Sequence, residues 1–478
     1  MLQHSYLIGI GLVFLSMTIA GVYSARKVKS AEDFSVGGRK ATAWLVAGSL
    51  MGTMIGGAST IGTAQVAFRF GLSAWWWCLG AGIGFVVLAS GLGRRLYETG
   101  VSTVPQILAR SYGDRIRPIV AVFTSLGIFF SFIGNSLAFV ALCSSTLHMR
   151  PITSALLGTV LMLVYVMFGG VWGTGLGGIL KVALVYISLL CCGVVAWQKV
   201  GGLSGLTTTF PPYPWFSLFG RGISVDFAAG FSMLLGVLST QSYFQAVASA
   251  KDVKAARSGS LISALLTPLI GLGAVLVGLC MKAQFPATPS AEAMPAFALK
   301  FLPPMLSGVV LATLLVTIVG CSAGLALGIS TMFAVDIYKQ HLRTAARGRE
   351  ILRVQRVALL LTSLVPLYFV TANNGASILD WSFLSMGLRG CTVLFPLLGA
   401  LFFPQYVSQK AGIAAACLGP LTCFLWHVVL PKGLDPLYPG LAVSFLALVA
   451  ISIFSPRSFG ELSATSELVE REPGLVEK

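Results

Sequence analysis

Apolar runs of about twenty residues, separated by short basic loops, recur along nearly the whole chain, and few folds tolerate that pattern. No water inside a bilayer can satisfy backbone N–H and C=O groups, so a spanning segment must close its own hydrogen bonds, as a helix or a closed barrel. About 20 apolar residues in a helix cross the roughly 30 Å hydrocarbon layer. Thirteen such runs can be drawn: 5–24, 43–68, 72–96, 118–147, 152–169, 177–198, 226–246, 258–281, 303–334, 352–372, 376–402, 409–431 and 437–455. Turn chemistry or charge separates them, as at Arg150-Pro151, Pro211-Pro212-Tyr213-Pro214, Pro303-Pro304 and Pro431-Lys432-Gly433. The predicted class is an all-α polytopic membrane protein with about 13 transmembrane helices. Residues 1–455 form one transmembrane domain, and 456–478 read as a disordered cytoplasmic tail.

Composition removes the rivals. Only 10% of the residues are charged, against roughly 25% in a soluble domain. A soluble enzyme and a disordered chain are both excluded. The net charge of +16 would suggest nucleic acid in a soluble protein, but here it follows topology. No basic residue precedes the first apolar run, whereas Arg26-Lys27-Val28-Lys29 follows it, the reverse of a signal peptide. With the N-terminus outside, 23 Lys and Arg fall on inner segments and 7 on outer ones. That is the positive-inside pattern, and it places the C-terminus in the cytoplasm and the chain in a cytoplasmic (inner) membrane. No nucleic acid or obligate protein partner is implied. The nine cysteines lie inside apolar segments without metal-ligand spacing. No nucleophile triad, metal cluster or carboxylate pair shares one depth, so an enzyme is not expected.

No carboxylate falls near the middle of a span, which argues against a proton relay of buried acids. Transporters often bind their solute where helices are interrupted near the midplane. Met51-Gly52-Thr53-Met54-Ile55-Gly56-Gly57-Ala58-Ser59-Thr60-Ile61-Gly62 in the second run can supply such a break, centred on Gly56 and Gly57. Small residues of this kind also serve helix packing. The Trp75-Trp76-Trp77 run reads as an interfacial aromatic belt.

Several segments together resemble the solute:sodium symporter family. Lys29-Ser30-Ala31-Glu32-Asp33-Phe34-Ser35-Val36-Gly37-Gly38-Arg39 is followed by the glycine-broken span. Then come Ser102-Thr103-Val104-Pro105-Gln106, Gly169-Gly170-Val171-Trp172-Gly173, Gln241-Ser242-Tyr243-Phe244-Gln245, Ala250-Lys251-Asp252-Val253-Lys254 and Ser330-Thr331-Met332-Phe333-Ala334-Val335-Asp336-Ile337-Tyr338-Lys339. They occur in the family's order over roughly residues 5–403. The resemblance implies a LeuT-type core of five plus five helices in inverted repeat (about 43–402), with one extra helix before it and two after. It also implies secondary active uptake of a small organic solute by alternating access, with Na+ as the coupling ion and no other cofactor.

The family's sodium position maps onto backbone carbonyls of Gly52, Ile55 and Thr317. Its two hydroxyl ligands map onto Gly320 and Cys321, which supply no oxygen from a side chain. A hard cation wants oxygen, so this cation site is degenerate. The family's Asp and Gln on the fifth core helix are here Gly178 and Lys181. Lys181 lies roughly 7 Å inside the inner end of its span at 1.5 Å per residue. It either fills the vacant cation position, as a lysine does in some sodium-independent transporters of this fold, or snorkels to the inner water layer. In the first case transport would be uncoupled, or coupled to H+ exchanged at Lys181. By resemblance, the solute cavity takes Ala58, Ser59, Asn135, Gln241, Tyr243 and Ser382. The family's sugar carriers have longer polar groups at Ala58 and Ser59, so a small organic acid or zwitterion is expected. Arg389, near the middle of the eleventh run, cannot snorkel far. It pairs with backbone carbonyls, faces the inner vestibule, or takes an anionic group of the solute. A solute sensor that does not transport is a further alternative, although 456–478 leaves no room for an appended module.

Overall fold

The computed structural model describes residues 4–25, 39–364, 377–430 and 434–455. The described residues contain helices and a single isolated bridge, between Ala41 and Ala250. Among the described residues, eight helices are long and apolar enough to cross a bilayer, and a bent pair makes a ninth candidate. Three shorter apolar helices, Ser5–Ile19, Ala43–Met54 and Pro151–Val164, accompany them. Most of the first inner-loop motif, the end of the tenth expected span and the tail lie outside the described residues.

Two interrupted helices organise the centre. Helix α1 (His4–Ala25) packs outside the core. Helix α2 (Ala43–Met54) stops where Ile55 turns extended, at φ −79° and ψ 106°. A π-turn at Ala58–Gly62 restarts the chain as α3 (Thr63–Phe70). Glycine is required at the break because a Cβ on Gly56 would lie 2.6 Å from the Cys321 sulfur, and one on Gly57 would run into Ala138. The second interruption carries no glycine. Helix α8 (Ile223–Ser239, numbering helices after α4 Trp76–Val87, α5 Val104–Tyr112, α6 Ile116–Leu147 and α7 Pro151–Lys199) ends at Thr240, which is extended, and α9 (Gln241–Ala248) resumes at 48°. Breaks in the opening helix of each half are the expected mark of an inverted repeat. The seventh expected span, 226–246, is thus two helices, because Thr240 leaves helical geometry and its hydroxyl bonds the Gly236 carbonyl at 2.5 Å.

The rest of the scaffold is α10 (Val253–Gln284), α11 (Pro304–Met332), α12 (Gly348–Leu364), α13 (Ile378–Phe402), α14 (Gln409–Val429) and α15 (Leu437–Phe454). Helical bonding runs unbroken through α7, so the fifth and sixth expected spans are joined without a loop; residues 169–177 hold glycines but no proline or charge to stop a helix. Helix α11 continues as a π-helix to Leu342. Asp336, two residues past the end of the expected ninth span (303–334), is therefore fully buried, and Arg117 Nε donates to its Oδ1 at 3.0 Å.

Several of the quoted segments turn out to be caps and ties. Thr103 caps α5 and forms a capping box with Gln106. Asp252 caps α10 by accepting from Ala255 N at 2.6 Å. Gln241, just after the second break, donates to the Ser102 carbonyl at 2.9 Å and accepts from Val104 N at 2.9 Å.

Candidate functional site

Helix α2 ends inside the protein, so its last carbonyls lack helical partners and carry the negative end of the helix dipole. Gly178 on α7 lies against this end. A Cβ there would collide with the Gly48 carbonyl, so only glycine allows so close an approach. Lys181, three residues on and on the same helical face, sends its ammonium to the carbonyls of Gly52, Ile55 (2.9 Å) and Thr317 (3.3 Å). A lysine has three N–H donors, and all three have acceptors. Lys181 is 1% exposed, so it does not snorkel to the inner water layer.

These three carbonyls are the ones expected around a sodium ion. The two remaining ligand positions match the lysine instead. A Cβ at Gly320 would sit 3.3 Å from Lys181 Cδ and 3.4 Å from Nζ, so glycine leaves room for the ammonium. The Cys321 thiol donates to the Thr53 carbonyl at 2.7 Å and accepts from Asn135 Nδ2 at 3.4 Å. With its carbonyls bonded to an ammonium and no hydroxyl at 320 or 321, the residue set does not fit sodium.

A small cavity of about 10 Å3, room for one water, adjoins the break. Ala58, Asn135, Tyr243 and Ser382 line it, four of the expected solute residues. Asn135 Oδ1 also accepts from Gly57 N at 3.0 Å, holding the break open against α6. Ser59 faces inward on the break itself, where its hydroxyl accepts from Gly56 N (2.9 Å) and donates to the Gly56 carbonyl (3.0 Å). Gln241 is committed to the start of α5. Above the cavity, Gln65 Oε1 accepts from Ile378 N at 3.0 Å, tying α3 to α13.

Arg389 sits one layer behind the cavity wall and is fully buried. Its Nε donates to the Ser385 carbonyl (3.0 Å), and its amino groups donate to Thr240 Oγ1 (2.7 Å), Ser131 Oγ (3.0 Å) and Ser385 Oγ (2.7 Å). Ser385 gives its own proton to the Gly127 carbonyl, so Ser131 must donate to Ser385 across their 2.6 Å contact. Arg389 thus fixes the orientation of Ser131, which lines the cavity. Backbone and hydroxyl pairing is what the structure holds, and among the described residues no carboxylate forms an ion pair with Arg389 or Lys181.

Trp77 corrects the reading of the tryptophan run. Trp75 and Trp76 are anchored by N–H bonds to the Pro268 and Leu218 carbonyls. Trp77 is buried, lines the cavity and meets Phe383 edge-on at 5.3 Å. Its indole N–H has no hydrogen-bond partner among the described residues. Trp77, Ala81, Gly84, Phe85 and Leu88 fall on one buried helical face, but residues 76–87 are apolar on every side, so the sequence carried no signal for which face looks inward.

Comparison with known proteins agrees with this architecture. The Sodium:solute symporter family matches residues 34–419. The high-affinity choline transporter 1 of Drosophila melanogaster is 25% identical over 443 residues, covering 87% of this chain and 70% of the relative. The high-affinity proline transporter PutP of Bacillus subtilis is 24% identical over 468 residues, covering 92% and 96%. A Na+-coupled sialic acid symporter, solved substrate-bound and outward-open, superposes with a TM-score of 0.79 at 15% identity over 95% of this chain and 98% of its own. The two helix breaks, the helical order and the family match across most of the length identify this chain as a member of the sodium:solute symporter family.

Proposed function

We propose that this chain takes up a small organic acid across a cytoplasmic membrane without sodium, Lys181 holding the position that a coupling ion would take. One observation carries the reading: the Lys181 ammonium donates to the carbonyls of Gly52, Ile55 and Thr317. The solute site is the cavity beside the first break, reached in turn from either side as the broken helices α2–α3 and α8–α9 move against the scaffold. Two buried cations without a carboxylate partner among the described residues favour an anion over a cation, and Trp77, which lines the cavity, has an indole N–H without a partner among those residues. The whole of 1–455 acts as one unit, N-terminus outside and C-terminus in the cytoplasm, as the basic loops support.

Uptake of labelled short carboxylates by the purified protein in liposomes, with sodium replaced by potassium, tests the proposal. Unchanged uptake is expected. Strict sodium dependence would overturn it and favour the second reading, sodium coupling, which rests on family membership. A thermal-shift panel of small carboxylates identifies the solute, because ligands of the folded state raise its melting temperature.

A further inference from the structure

We infer that an anionic phospholipid binds in a groove between the π-helical end of α11 and α12, one acyl chain in the groove and its phosphate on Arg353 and Arg356. The groove has a volume of about 450 Å3, and Ile329, Phe333, Val354, Val357 and Leu361 build its walls. Val357 and Leu361 are more than half exposed, so the groove opens outward. Arg353 stands on its lining. Arg356, one helical turn from Arg353 and outside the groove's lining, has a buried Nε with no partner among the described residues.

The acid next to this pair is already taken. Glu350 accepts from the Tyr338 hydroxyl at 2.6 Å and pairs with Arg343 at 2.9 Å. Counted from the start of α12 at Gly348, the two arginines lie roughly 8 and 12 Å along the axis at 1.5 Å per residue. Beside these apolar walls an unpaired guanidinium is costly, and a lipid phosphate is an anion whose acyl chain the same groove can hold. Guanidinium forks match phosphate oxygens in pairs. Basic pockets between helices on the cytoplasmic side suit anionic headgroups. Free phosphate could use the arginines but not the apolar walls; a lipid uses both. The binding is independent of the transport reaction above.

The full-length protein in detergent, titrated with phosphatidylglycerol or with phosphatidylcholine of the same chains and followed by native mass spectrometry, decides it. Phosphatidylglycerol retained in preference to phosphatidylcholine is expected. The double variant Arg353→Gln with Arg356→Gln should weaken phosphatidylglycerol by roughly 30-fold, about 2 kcal/mol at 1.4 kcal/mol per tenfold. Val357→Trp fills the groove from its exposed side, leaves both arginines in place, and should weaken both lipids. Equal retention of the two lipids, an unaffected double variant, or full displacement of the lipid by inorganic phosphate would each overturn the inference. Melting temperatures of the variants without added lipid show whether the fold is intact.

Discussion

Replacing Lys181 by alanine removes an ammonium and strands the acceptors it serves. Three buried carbonyls, those of Gly52, Ile55 (2.9 Å) and Thr317 (3.3 Å), lose their donor together. A hydrogen bond to a charged group contributes about 1.5–3 kcal/mol net. The variant also escapes the desolvation cost of a buried ammonium, so the loss should fall below the sum, on the order of 3 kcal/mol. Thermal unfolding in detergent, followed by tryptophan fluorescence, should therefore show a lower melting temperature. Gly320→Ser gives a sharper test of the same geometry. In the native background its Cβ would press on Lys181 Cδ and Nζ at 3.3 and 3.4 Å, costing about 1–3 kcal/mol as overpacking. With alanine at 181 that crowding disappears, so the double variant should be more stable than the two single effects predict, by roughly 1–2 kcal/mol. Adding Cys321→Ser would then offer three carbonyls and two hydroxyls to a hard cation. Sodium at a hundred times its dissociation constant should stabilise that triple variant by about 2.7 kcal/mol and leave the native protein unmoved. A native melting temperature that rises with sodium but not with potassium, or a Lys181→Ala variant indistinguishable from native, would refute this account.

Arg117→Ala should destabilise the fold by about 3–5 kcal/mol, because it leaves Asp336 charged and buried without its partner; adding Asp336→Asn should recover much of the loss in the same unfolding measurement. Gln241→Leu should lower stability by about 1–3 kcal/mol through the two broken bonds to Ser102 and Val104, with the solute KM unchanged in liposome uptake, since the side chain is committed away from the cavity. Trp77→Phe keeps an aromatic ring but removes an unpaired N–H, so its stability should stay within about 1 kcal/mol of native. Its KM for an anionic solute should rise about tenfold, the loss of one hydrogen bond of roughly 1.4 kcal/mol; an unchanged KM removes Trp77 from the solute site.

The spans and the first break were legible because apolar length and glycine are local signals. Gly56 and Gly57 mark the interruption without reference to any other helix. Lys181 was legible as a misfit, a lone cation inside an apolar run, but its target was not. Its destination depends on Gly178 bringing α7 against α2 and on Gly320 leaving space, a conjunction of three distant positions. The break at Thr240 was missed because a threonine that leaves helical geometry looks like any other β-branched residue in an apolar run. Trp77 was misplaced because its helix is apolar on every side, so periodicity does not say which face looks inward. Asp336 was misassigned for a related reason: α11 carries its helical bonding on as a π-helix past the apolar stretch, and only the fold shows that Arg117 waits beside it. Ser59 and Gln241 were placed in the right neighbourhood, but their hydrogen bonds go to backbone, which composition does not reveal.

A diffusible ion drives a carrier because it crosses and does not return. The ammonium seen between α2 and α11 belongs to the chain, so whatever field it traverses on the way in, it traverses again on the way back. Over a closed cycle its displacement through the membrane potential sums to zero, although a single crossing of one charge is worth about 2.3 kcal/mol per 100 mV. Such a transporter would either let the solute run down its own electrochemical gradient, or draw concentrating power from a proton that the lysine surrenders on one side and regains on the other. The sodium gradient that gives the family its name would then be a resource this member has forgone.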